Sequence, residues 1–171
     1  MERVCRWAAA VAAAAISVAC ATAMAVEVGS PAPDVTAPGL RHGAAVVRLS
    51  SLRGQVVYVD FWASWCVPCR ASMPFLDREF RRLAGRGFTV LGVNKDAVAA
   101  DAERFLKRVP VDFPLVCDPD DRLARAFEVK AMPSGYLIDR AGRVRYVHRG
   151  FAPETATALQ AQVELLLKEA R

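Results

Sequence analysis

The chain has 171 residues, a formal net charge of +5 and 54% hydrophobic residues. That length fits one domain with a sizeable core. Its basic residues (Arg81, Arg82, Arg86, Arg140, Arg143, Arg145) are scattered rather than set in a stripe with interleaved aromatics. They read as a solvated surface and exclude nucleic acid as an expected partner.

The chain opens with Arg3 and Arg6, then an Ala-rich apolar run from Trp7 to Val18, then Ala23-Met24-Ala25. This is the pattern of a secretory signal peptide over residues 1–25, cut before Val26. The alternatives are an uncleaved membrane anchor, a lipid-modified Cys20 and a buried N-terminal helix. Ser17-Val18-Ala19-Cys20 lacks a large aliphatic residue three places before the cysteine, which ranks lipidation below cleavage. Export places the domain, residues 26–171, in an oxidising compartment, expected to be the periplasm. Cys66, Cys69 and Cys117 remain there, too few for a disulfide scaffold.

Residues 26–39, with Pro31, Pro33 and Pro38, read as an extended lead-in. A short strand is expected over 45–49, and Ser50-Ser51-Leu52-Arg53-Gly54 as a turn. The nearly continuous apolar run 55–62 suits a central parallel strand covered on both faces. From Cys66 the pattern turns helical, with Met73, Phe75, Leu76, Phe80 and Leu83 near a 3.6-residue period. Pro74 is expected to kink that helix, and Gly85 and Gly87 to end it. A strand follows over 88–94 and a helix over 99–108, stopped by Pro110. Next come a strand over 113–116 and a short helix over 122–127. The strand 132–138 is entered through Pro133, Asp139-Arg140-Ala141-Gly142 forms a hairpin turn, and 144–148 returns. Pro153 suits the first turn of a last helix. This alternation predicts a three-layer α/β fold with a mixed sheet and an antiparallel terminal hairpin.

Cys66 and Cys69 are spaced for a disulfide at the start of a helix. The aligned dipoles and free N–H groups there favour a thiolate. Cys66, nearer the exposed end, is expected to be the nucleophile. Cys69, one turn in and more buried, is expected to resolve the mixed disulfide. The alternative is half of a zinc site, but only Cys117, His42 and His148 remain as soft ligands and none is paired. No metal and no cofactor is therefore expected.

Asp60 lies within the apolar strand, six residues before Cys66. Buried, it would have a raised pKa and could take the proton from Cys69. On an edge, it would simply face water. Spacing does not choose between the two. Pro133 could carry a cis bond, although most X–Pro bonds are trans. Trp62 and Trp65 flank the site, and Trp65 could present an apolar face to a protein substrate. Cys117 reads as an inert core residue, with a third redox thiol as the alternative. His42 and His148 read as surface residues.

On Asp60-Phe61-Trp62, Trp65-Cys66-Val67-Pro68-Cys69 and Met132-Pro133, the chain resembles the thioredoxin superfamily over residues 26–171. The resemblance implies a thioredoxin-like sandwich with helices on both faces of a mixed sheet. It also implies a buried Asp60, a cis Met132–Pro133 bond, and a substrate strand pairing with the backbone beside that proline. Gly29-Ser30-Pro31-Ala32-Pro33-Asp34 and Leu49-Ser50-Ser51-Leu52-Arg53-Gly54 look like those of exported TlpA/ResA-type members. So does an extra strand–helix insertion within 94–126, before the cis proline.

This branch implies a thiol–disulfide oxidoreductase acting mainly as a reductant of protein disulfides, in cytochrome c maturation or in copper-site assembly of the respiratory oxidase. A membrane thiol-transfer reductase would recharge it, and it is expected to be a monomer, soluble or tethered through its N-terminus. The implied site is Cys66, Cys69 and Asp60 for catalysis, with Trp65, Met132 and Pro133 for substrate. The chain departs from many members in carrying Asp60 where they carry Asn. Its Val67-Pro68 stands where cytochrome-branch members carry Glu or a Pro-Thr type pair. A dithiol oxidant of folding proteins and a copper-binding chaperone are the rival readings.

Overall fold

The computed structural model describes residues 26–169. The expected signal peptide, its cleavage point and Cys20 lie outside the described residues. The strands are β1 (Thr36–Ala37), β2 (Val47–Arg48), β3 (Val56–Trp62), β4 (Phe88–Asn94), β5 (Leu115–Cys117), β6 (Ser134–Ile138) and β7 (Val144–Arg149). The helices are α1 (Cys69–Leu83), α2 (Ala99–Arg108), α3 (Arg122–Ala126) and α4 (Pro153–Lys168).

A five-stranded sheet runs in the order β5-β4-β3-β6-β7. β3 pairs parallel with β4 and antiparallel with β6, β4 pairs parallel with β5, and β6 and β7 form the expected hairpin. Asp139 closes that hairpin by accepting the backbone N–H groups of Ala141 and Arg143, and Gly142 supplies the positive φ of 82°. Every residue of β3 and β4 is buried, as an apolar run sandwiched between two layers requires.

The pleat of β3 sends its side chains alternately into two cores. Val56, Tyr58 and Trp62 join Phe75, Leu76 and Leu83 of α1, Phe105 of α2 and Leu159, Val163 and Leu166 of α4. Val57, Val59 and Phe61 face the opposite side with Leu123 and Ala124 of α3, Phe127, and Leu49 of the 3-10 turn Leu49–Leu52. The sheet is therefore covered on both faces. The insertion expected before the cis proline is α2, β5 and α3, and β5 forms the edge of the sheet beside β4.

Several details differ from the sequence reading, among them the strand expected over 132–138, which begins only at Ser134, after the proline. The lead-in is not featureless, because Thr36–Ala37 pairs antiparallel with Val47–Arg48. That second strand is shorter than 45–49, because Leu49 already begins the 3-10 turn while its N–H bonds to Val35 O. β5 starts at Leu115 rather than 113, since the carbonyl of Pro114 is taken by Gly92 N and proline itself offers no donor. α1 begins at Cys69 rather than Cys66, and it continues through Pro74 to Leu83 without interruption.

Candidate active site

β3 and β4 end side by side at Trp62 and Asn94, and the chain beyond β3 carries the two cysteines. Residues 66–69 form a turn that leads into α1. Cys69 N donates to Cys66 O, Arg70 N to Val67 O, and Ala71 N and Ser72 N both donate to Pro68 O. Cys66 and Cys69 are joined by a disulfide with their Cα atoms 5.3 Å apart. The first turn of α1 holds Arg70 and no acidic residue, so the positive end of the helix dipole meets the sulfurs unopposed from within its own turn.

Both sulfurs are covered in this oxidised state. Cys69 is fully buried and Cys66 is 3% exposed, contrary to the expectation of an exposed Cys66. Ala63, Trp62, Met73 and Leu76 share their cluster. Exposure passes instead to the neighbours: Trp65 is 64% and Val67 70% accessible, an apolar rim around a hidden disulfide. Trp62 is fully buried and packs its ring 5.2 Å from that of Phe105, so it is core where Trp65 is surface.

Asp60 is 2% exposed on the α1 side of β3, two residues from both Tyr58 and Trp62. The edge alternative is thereby excluded. Its register partners are Gly92 on β4 and Gly135 on β6. Neither brings a cation or a donor side chain, and Asp60 Oδ2 has no hydrogen-bond partner. Burial alone therefore pushes the carboxyl up to about 8. The two glycines are required by the crowding beside Asp60. A Cβ at Gly135 would fall 1.8 Å from Tyr58 Oη, and one at Gly92 2.6 Å from Leu115 Cδ2.

Met132–Pro133 is cis. Pro133 precedes Ser134, the register partner of Phe61, so the proline lies at the end of the sheet where β3 delivers the cysteines. Its carbonyl accepts Gly150 N, and Met132 packs against the cluster that holds Cys66 and Cys69. The structure thus brings Cys66, Cys69, Asp60 and Met132 to one face of the sheet, and Trp65 and Pro133 to the same end of it.

Sequence reasoning missed Asp96. It is buried just past β4 and accepts Ser64 N at 3.0 Å, Ser64 Oγ at 2.9 Å and Asn94 Nδ2 at 2.8 Å. Lys95 N also donates to Trp62 O. Together these bonds fix the loop from Trp62 to Cys66. The available signal was an acid two residues past an apolar strand that ends in Asn.

Cys117 is a free, partly exposed thiol on edge strand β5, 3.6 Å from Pro38 O, rather than a core residue. His42 is exposed as expected, but His148 is half-buried, between Tyr58 and Gln162. Among the described residues there is no cluster of three or more His, Cys, Asp or Glu side chains that could hold a metal ion.

The Redoxin family profile matches residues 27–163. The chain is 35% identical over 126 residues to thiol-disulfide oxidoreductase ResA of Geobacillus kaustophilus, covering 74% of this chain and 71% of that protein. Among solved structures it is similar to one from Chlorobium tepidum assigned as a thiol:disulfide interchange protein DsbE. That comparison gives a TM-score of 0.80 and 43% identity, over 84% of this chain and 99% of the other. A protein from Bacteroides thetaiotaomicron, assigned as a protein disulfide isomerase, gives a TM-score of 0.77 and 32% identity, over 84% and 92% of the two chains.

Proposed function

Given that the chain belongs to the Redoxin family and is a thioredoxin-like, ResA-like thiol–disulfide oxidoreductase, we propose that it works as a reductant of protein disulfides outside the cytoplasm. Cys66 attacks the client disulfide, and a mixed disulfide forms as the client's other sulfur leaves. Cys69 then attacks Cys66 Sγ, releasing the reduced client and leaving the Cys66–Cys69 disulfide. Asp60 takes the Cys69 proton in that second step. Trp65 offers the client an apolar face, and the backbone beside cis Met132–Pro133 pairs with its extended strand.

The observation that carries this reading is a buried, unpartnered carboxyl on the same sheet face as a buried disulfide. A strong dithiol oxidant is made by stabilising its reduced form, above all the thiolate. Here the helix start favours a thiolate, but the apolar wall and a buried acid on the same face of the sheet oppose it at Cys69. Closing the disulfide removes that conflict, which favours the oxidised protein and hence reduction of clients.

Clients in cytochrome c maturation or oxidase copper-site assembly, a membrane thiol-transfer donor and a periplasmic site agree with this chemistry and with the exported pattern of residues 1–25. Among the described residues, no helix is long and apolar enough to cross a membrane. Equilibration with glutathione tests the direction. A potential nearer to thioredoxin's, about −270 mV, supports a reductant, and one nearer to about −120 mV makes the protein an oxidant. Thiol alkylation in cells gives the matching readout, since a reductant is held mostly as the dithiol.

A further inference from the structure

Three segments frame the disulfide and the cis proline: residues 63–74, 129–135 and 146–153. Their full charges are Arg70, Lys130 and Arg149, and they hold no Asp or Glu. Arg70 directly follows Cys69. Lys130 stands two residues before Met132. Arg149 is the register partner of Ser134, the residue after Pro133, and the next residue, Gly150, donates its N–H to Pro133 O. All three side chains are exposed.

Elsewhere the basic side chains are largely tied to acids. Arg48, Arg81, Arg82, Arg86, Arg104 and Arg145 each hold a carboxylate. Among the described residues, Arg70, Lys130 and Arg149 hold none. Arg70 has no local reason to be a cation. It lies at the positive end of the α1 dipole, where a cation is disfavoured. Its partners at three and four residues on are Met73 and Pro74, neither of them an acid. The hollow beside it adds Arg108, with Phe105 and Val109, and again no acid. The hollow beside Lys130 contains Asp121 and Glu128, but Lys95 engages Asp121, which leaves Arg125 and Lys130 against Glu128 alone. Glu154, just beyond the third segment, sits in the first turn of α4, where the helix dipole favours an acid.

We propose, on the reading that Cys66 reduces protein disulfides, that Arg70, Lys130 and Arg149 form a cationic collar selecting client segments with Asp or Glu beside the reactive cysteine. Trp65 and Val67 supply apolar contact that is blind to charge, so the collar chooses among clients. In an extended client strand, residues one to three places from the cysteine lie about 3–10 Å along the backbone. That is within the screening length of about 8–10 Å at ordinary salt. Unpaired cations there speed the encounter with acidic segments and oppose basic ones.

The test uses the reduced protein and cyclic peptides with one internal disulfide, alike except for Asp, Ser or Lys beside the cysteines. Rates with mercaptoethanol, an uncharged thiol, correct for each peptide's own reactivity. The Asp peptide should be reduced about tenfold or more faster than the Lys peptide at low salt, within the range of electrostatic steering. The two rates should converge at about 1 M sodium chloride, where the screening length is about 3 Å. The variant Arg70→Glu/Lys130→Glu/Arg149→Glu should reverse the order. A change in the reactivity of Cys66 itself would move all three peptides together, so the Asp-to-Lys ratio reports the collar.

Equal corrected rates for the Asp and Lys peptides at low salt overturn the collar and leave the reductant reading standing. A preference that survives charge reversal overturns it too. Reduction of none of the three peptides overturns both. Binding of the wild type, but not the triple variant, to phosphatidylglycerol vesicles, with no preference among peptides, would assign the collar to a membrane surface and overturn the proposal.

Discussion

The Asp96 carboxylate accepts both the backbone N–H and the hydroxyl of Ser64, two residues ahead of Cys66. A buried acid from the end of one parallel strand thus holds the loop that leaves its neighbour. Asn94, its own support, is fully buried and donates to it at 2.8 Å. The position of Cys66 is thus held by this clamp as well as by the turn that leads into α1.

Removing the clamp should cost both stability and rate. Asp96→Ala leaves Ser64 N–H and Asn94 Nδ2 without their acceptor in a buried place, and hydrogen bonds to a charged group contribute about 1.5–3 kcal/mol each. We expect a loss of several kcal/mol by denaturant titration and slower attack by Cys66 on a model disulfide. An Asp96→Ala protein of wild-type stability would show that the clamp is incidental.

Asp60 sets a pH dependence of opposite sign to that of a salt-bridged acid. Its carboxyl is raised from 3.8 to about 8 by burial. Between those values the unfolded chain has released this proton while the folded protein keeps it, so folding stability falls as pH rises from about 4 to about 8. The slope from this one group is at most about 1.4 kcal/mol per pH unit. Asp60→Asn should remove it. The variant should gain thermal stability over wild type at pH 8, and the gain should shrink as pH is lowered towards 5. Parallel stability curves for the two proteins would contradict the assignment.

The strands around the site were legible because β3 and β4 are buried on both faces and therefore read as unbroken apolar runs. For the same reason the setting of Asp60 was not legible. A strand covered on both sides gives no alternation to show which way a residue points, and the answer lies in Gly92 and Gly135, distant in the chain but beside it in the sheet. His148 was misread because β7 alternates like an exposed edge, while α4 folds back over one face of it and places Gln162 on the ring. Cys66 was placed in the helix because the periodic pattern begins there. The turn bonds to Cys66 O, Val67 O and Pro68 O delay the helix to Cys69. Asp96 acts only through a loop far from it in sequence, which no local pattern announces.

The two glycines beside Asp60 should differ in how much they tolerate a methyl group. At Gly135 a Cβ meets both Oη and Cζ of Tyr58, at 1.8 Å and 2.1 Å. The rigid ring cannot yield without leaving its place against Leu137 and His148. At Gly92 the nearest atoms are Leu115 Cδ2 at 2.6 Å, the end of a flexible side chain on an edge strand, and Phe113 Cε2 at 2.9 Å, an aromatic ring atom met less closely than the Tyr58 ring is at Gly135. Overpacking costs about 1–3 kcal/mol in typical cores. We expect Gly135→Ala at or above the top of that range and Gly92→Ala within it, and Tyr58→Leu should recover part of the Gly135→Ala loss in a double-mutant cycle. Additive losses would show that the tyrosine does not occupy this gap.

Cys66 and Cys69 have unequal roles in the proposed cycle, and the inequality is open to direct test. Cys69→Ser leaves the attacking thiol without its resolver, so client proteins should accumulate as mixed disulfides that a reducing agent releases on gels. Cys66→Ser should trap few or none, because Cys69 is fully buried beneath Ala63, Met73 and Leu76. Trp65→Ala in the Cys69→Ser background should lower the yield of trapped clients, since Trp65 is 64% exposed directly before Cys66. The reactivity of Cys66 towards a small disulfide should stay the same. Equal trapping by both single-serine proteins would reverse the assignment of nucleophile and resolver.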